Sequence, residues 1–175
     1  MVRSVSVARH VKPGYVVTYP NRDKAASRRT KLLVVAVLVL STLLMLLATF
    51  GGWSKLDGLI PLNIAWCLVY LVIARYVLRW ARGLLPIAAA LAALMLTFAL
   101  IAASSLDGIT WSDRGRAGYG PVHDVFGSAG LSSGTMSTLT IAIAVSQVLL
   151  ILIAMRGFSQ AWNIEYEVPA EQLAR

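Results

Sequence analysis

Few side chains in this sequence could do chemistry, and they do not cluster. Its two histidines, His10 and His123, and its single cysteine, Cys67, stand far apart. Asp107, Asp113, His123 and Asp124 come nearest to a divalent-metal set. Their spacing fits no ligand motif, and the adjacent pair His123-Asp124 cannot readily turn to one ion in regular structure, so they read as solvated surface. Cys67 has no second sulfur within the chain, which removes an intramolecular disulfide and dithiol redox chemistry. Haem held between helices, or intramembrane proteolysis by a serine or zinc mechanism, would need histidine at depth in an apolar stretch, and neither histidine lies in one. Proton-coupled export needs an ionisable residue buried between helices, such as the first-helix glutamate of the small multidrug exporters. The central parts of the apolar stretches contain none. No catalytic residue, cofactor-binding residue or metal ligand is assigned, and the chain reads as a non-enzyme.

What remains is polar but not reactive. Gln147, with Ser146 beside it, falls near the middle of the last apolar stretch, where an amide facing lipid would be costly and must turn to another helix or a cavity. An interhelical hydrogen bond is the expected use, and a contact to a ligand headgroup or quinone carbonyl the functional alternative. Asn63 lies near the start of its stretch, in reach of a cap or water. Thr97 is a further hydroxyl. Arg75, Arg79, Arg82 and Arg156, with Trp80, flank apolar ends and read as contacts to lipid headgroups.

These residues must be positioned by membrane helices. The chain of 175 residues is 58% hydrophobic and 14% charged, a membrane composition. Residues 32–50 hold no charge, Pro or Gly, and at 1.5 Å per residue would extend about 28 Å, close to the hydrocarbon thickness of a bilayer. Further spans are expected at about 59–78, 84–103 and 135–155. The architecture is thus all-α: four transmembrane helices in an antiparallel bundle. Residues 1–31 form a basic tail, 104–134 the long loop and 156–175 a C-terminal tail.

Local signals fill in this frame. Residues 11–20 carry Val, Tyr and Thr between turn signals, so a short extended segment is expected in an otherwise poorly ordered tail. A retained signal-anchor helix is preferred to a cleaved signal peptide. Residues 51–58, GGWSKLDG, read as a tight turn between the first two spans. In the third span, Ala88/Ala92 and Ala89/Ala93 have the spacing that lets helix backbones approach, which places it at the centre of the bundle. In the long loop, residues 121–126 could form one interfacial turn, while Arg114, Arg116, Trp111 and Tyr119 suit headgroups or a partner. The triplet Leu56-Asp57-Gly58 returns as Leu106-Asp107-Gly108, too short a match to define a repeat.

Charge sets the orientation. The formal charge of +8 sits almost wholly beside the spans, which argues for topology rather than nucleic-acid binding. Thirteen Lys and Arg fall on the side of the two tails and the 75–83 turn, and only Lys55, Arg114 and Arg116 opposite. Both termini are therefore expected in the cytoplasm of an inner or plasma membrane protein, with the long loop outside.

Residues 155–165, Met155-Arg156-Gly157-Phe158-Ser159-Gln160-Ala161-Trp162-Asn163-Ile164-Glu165, resemble the end of uncharacterised small four-helix integral membrane proteins of GC-rich bacteria. That resemblance implies no activity or site. Read from the residues, Phe158 and Trp162 share one helical face, and the segment is an amphipathic cap expected to dock on its own bundle. The functional expectation is a non-catalytic integral membrane protein, an accessory subunit of a larger complex, in contact with the bilayer and with a membrane-protein partner or a second copy. The alternative is an oligomeric small-molecule or ion transporter or channel whose path is lined by Thr97, Ser146 and Gln147. An enzyme acting on lipids through His123 and the loop aspartates is the weakest reading.

Overall fold

Four helices dominate the chain, each long and apolar enough to cross a membrane. In a computed structural model, residues 13–53, 60–103 and 130–173 are described. A short strand β1 (Tyr15–Thr18) and one turn of helix α1 (Pro20–Asp23) lead into α2 (Ala25–Gly51). Then come α3 (Ile60–Leu78), α4 (Leu84–Ala103) and α5 (Ser133–Ser159), followed by strand β2 (Tyr166–Pro169) and one last turn, α6 (Ala170–Leu173). Histidines 10 and 123, the loop aspartates, and Arg114, Arg116, Trp111 and Tyr119 lie outside the described residues, as do residues 54–59 and 121–126.

Local chemistry explains where the helices start and stop. Pro61 and Pro86 fall in the first turns of α3 and α4, where a missing N–H breaks no helical bond. Ser132 caps α5, its hydroxyl oxygen accepting from the Thr135 N–H at 3.2 Å. At the end of α2 the Gly52 N–H donates to Ala48 O at 2.9 Å. A Cβ on Gly52 would run into Met136 and stand 2.8 Å from Ala48 O, so the start of α5 needs that glycine to close on α2. The end of α3 is less usual. Trp80 has a φ of 67°, with its N–H on Val77 O and the Ala81 N–H on Tyr76 O. This is the Schellman closure with tryptophan where glycine is favoured.

The helices form an up-down-up-down ring. α4 packs most extensively on α5, α5 also packs on α2, and α2 on α3, while the α3–α4 seam is sparse. The α2–α5 pair is therefore the spine, and the third span is not central as its alanines suggested. Its small faces serve intramolecular packing: Ala88 and Ala92 are fully buried and Ala89 and Ala99 nearly so. Alanine spacing reports how closely a helix can approach a neighbour, not how many neighbours it has. Outside, a belt of exposed Leu, Val, Ile and Phe covers all four helices. In water such a surface would aggregate; in hydrocarbon it is the solvated face.

Two further features differ from the sequence expectation, and a third, the expected extended segment of the first tail, gains a partner. α2 begins at Ala25, seven residues before the uncharged run, because Ser27 and Thr30 are buried and Arg28, Arg29 and Lys31 extend the helix beyond it. The extended segment in the first tail is β1, and it pairs antiparallel with β2 of the C-terminal tail, Val16 opposite Val168 and Thr18 opposite Tyr166. Finally, Phe158 and Trp162 do not share a helical face. α5 ends at Ser159, Ala161 takes a φ of 53°, and the chain reverses so that Trp162 tucks beneath the bundle.

Candidate functional site

Two polar constellations emerge, one inside the bundle and one across its terminal end. Inside, Ser41 of α2, Tyr70 of α3 and Ser146 and Gln147 of α5 are buried together. The Tyr70 hydroxyl donates to Gln147 Oε1 at 2.6 Å, and Gln147 Nε2 donates to Ser146 Oγ at 3.0 Å. Ser41 Oγ donates to Ser146 Oγ at 3.0 Å, and Ser146 Oγ in turn donates to Ile143 O at 2.7 Å. The second amide hydrogen of Gln147 reaches Ile143 O at 3.4 Å. Each donor ends on an acceptor within the group, so three helices are tied at one level. That level lies about 18 Å along α5 from its Ser159 end, at 1.5 Å per residue.

Gln147 bonds across helices to Tyr70, and Ser146 joins it. Asn63 is elsewhere: its Nδ2 donates to Thr49 Oγ1 at 3.2 Å and fastens α3 to α2. Thr97 is exposed on α4 and bonds Ala93 O at 3.0 Å, so it does not meet Gln147 within one molecule. Sequence reading missed Tyr70 and Ser41. A tyrosine in an aliphatic run gives no sign of which helix its hydroxyl will reach. The indole N–H of Trp66, one turn before Tyr70, is buried without a hydrogen-bond partner, alone among the described buried side chains; its ring sits edge-on to Phe98 at 6.2 Å.

The second constellation is built around Trp162, which is fully buried. Its ring meets Trp80 edge-on at a centroid distance of 5.3 Å, and its indole N–H donates to Gln160 Oε1 at 3.0 Å. Gln160 in turn donates to Thr30 Oγ1 at 2.9 Å, linking this turn to α2. The N-terminal segment reaches the carbonyls of this reversal: Asn21 Nδ2 donates to Ala161 O at 3.1 Å, beside the Ile164 N–H at 3.2 Å, and Arg22 Nε donates to Trp162 O at 3.0 Å. Arg82 closes the end of α5, its Nε on Phe158 O at 2.7 Å and a terminal nitrogen on Asn163 Oδ1 at 2.7 Å. Cations on the last carbonyls of a helix are favoured by its dipole.

Of the residues read as headgroup contacts, Arg75, Arg79 and Arg156 are exposed, and no side-chain hydrogen bond or ion pair holds them among the described residues. Arg82 and Trp80 are half-buried and hold the cap. All nine described Lys and Arg lie at this end, with four carboxylates, and the opposite end carries no described charge.

The ring of four apolar helices and its self-contained polar level define a polytopic membrane bundle. Comparison of the chain with protein-family models, curated proteins and solved structures finds no match in any of the three.

Proposed function

We propose that this is a non-catalytic membrane protein that serves as an accessory subunit, packed against a larger membrane complex through the outer face of α4. The observation that carries the reading is a second, outward set of small residues. Ala90, Ala93 and Thr97 are exposed along one side of α4, while Ala88, Ala89 and Ala92 are already used against α5. Small residues gain little from lipid but let another helix approach closely. Thr97 faces outward with its hydroxyl already bonded to Ala93 O. The interior supports the same reading, because the Tyr70–Gln147–Ser146–Ser41 group spends its hydrogen bonds on itself. The nine cations at the terminal end favour a cytoplasmic placement of that end in an inner or plasma membrane.

The test is photocrosslinking in intact cells from a reactive residue at Ala93 or Thr97, with Leu43 and Leu152 as exposed controls on other helices. Capture of one membrane protein from α4 positions, and not from the controls, is expected. Capture of a second copy alone would move the assignment to a homo-oligomer, and the transporter alternative would then be measured as flux in liposomes.

A further inference from the structure

Where α2 leaves the uncharged run, the N-terminal segment and the α3–α4 turn enclose a cleft of about 590 Å³. Arg22, Arg28 and Lys31 line it with a single carboxylate, Asp23. That carboxylate is taken by Arg28 at 3.1 Å, so the charge left over belongs to Arg22 and Lys31. Arg22 commits its Nε to Trp162 O at 3.0 Å, and no carboxylate pairs with its guanidinium among the described residues. Among the described residues Lys31 is held only by Leu78 O at 3.5 Å and by the face of Trp80, 4.0 Å from the ring centroid. An ammonium with three donors retains capacity for an anion under those conditions. Trp80 forms the wall behind it, kept in a left-handed backbone conformation that a bulky residue adopts only when its surroundings fix it.

We propose that this cleft binds the phosphate of an anionic phospholipid headgroup. A guanidinium fork beside a compact ammonium suits phosphate oxygens, and basic pockets at the edge of a helical bundle take such headgroups. The lipid source is favoured by what adjoins the cleft. Leu32 lines it, and Leu32 and Leu33, 58% and 53% exposed, begin the uncharged run of α2. A lipid with its phosphate at Lys31 would lay its acyl chains along that face; a soluble phosphate would make no use of it. The inference rests on the membrane reading of the bundle and not on the accessory-subunit assignment.

Native mass spectrometry of the full chain in mild detergent tests it, with titrations of phosphatidylglycerol, phosphatidylcholine and, separately, inorganic phosphate. Phosphatidylglycerol is expected to bind most tightly. Replacing Arg22→Gln with Lys31→Gln should weaken it by a factor of about ten or more, whereas Lys24→Gln with Arg29→Gln, the same charge change at the same end but outside the cleft lining, should alter it less than about twofold. Should the cleft double variant fail to fold, Lys31→Gln against Lys31→Arg decides: only the charge-keeping change should retain binding. Equal loss in both doubles, no loss in either, or equal binding in Lys31→Gln and Lys31→Arg would overturn the site. Inorganic phosphate binding at least as tightly as phosphatidylglycerol would overturn the lipid as its occupant.

Discussion

Gln147 sits about midway along α5 inside the apolar bundle, and among the described residues its hydrogen bonds are all internal. Replacing it with leucine removes the acceptor of Tyr70 and a donor to Ser146 together. Intramembrane hydrogen bonds of this kind are worth about 0.6 kcal/mol on average and up to about 1.7 kcal/mol, because the unfolded chain in the membrane also finds partners. Gln147→Leu should lower stability by that order in a detergent unfolding titration, and Tyr70→Phe should add little to it, since both changes break the same bond. Gly157 sets a second prediction. A Cβ there would lie 3.1 Å from Leu85 and 3.3 Å from the Trp162 ring. Gly157→Leu should therefore expel Trp162 from its seat, destabilise the protein by a few kcal/mol as overpacking does, and red-shift tryptophan fluorescence. An amide in an apolar run announces that it needs a partner, so Gln147 was legible in the sequence. Which hydroxyl answers depends on helix rotation, which the nearly uniform apolar spans leave unspecified.

At the scale of elements, the four long apolar helices were legible from length and the absence of charge. Less was legible where membrane gives way to water. α2 starts earlier than its uncharged run, and the end of α5 reverses at Ala161 rather than continuing as an amphipathic helix. Both features depend on contacts between distant segments: Thr30 with Gln160, Arg22 with Trp162, Arg82 with Phe158. The β1–β2 ribbon joins residues some 150 positions apart, and neither four-residue strand carries a pairing signal of its own. It can be checked directly. In a Cys67→Ala background, Val16→Cys with Val168→Cys should form an intramolecular disulfide in oxidised membranes, because directly opposed strand residues lie within bridging range. Val16→Cys with Glu171→Cys, out of register, should cross-link far less.

For the whole molecule, the ribbon and the cap make one statement about topology. β1 and β2 are hydrogen-bonded neighbours, so both tails lie at the same end of the bundle, where all nine described cations are gathered. The charge bias read from sequence and the strand pairing read from structure are independent, and they agree on an even number of crossings. Arg82, Arg22 and Lys31 sit at this end on the carbonyls of Phe158, Trp162 and Leu78, so cations counted in the sequence charge bias also close the structure. The measurement that bears most directly on this account is labelling of single-cysteine variants with a membrane-impermeant thiol reagent, in a Cys67→Ala background. Asp23→Cys and Glu167→Cys should react only after the cells are permeabilised, and Gly134→Cys should react in intact cells. Labelling of Asp23→Cys and Glu167→Cys from opposite sides, or of both in intact cells, would contradict it.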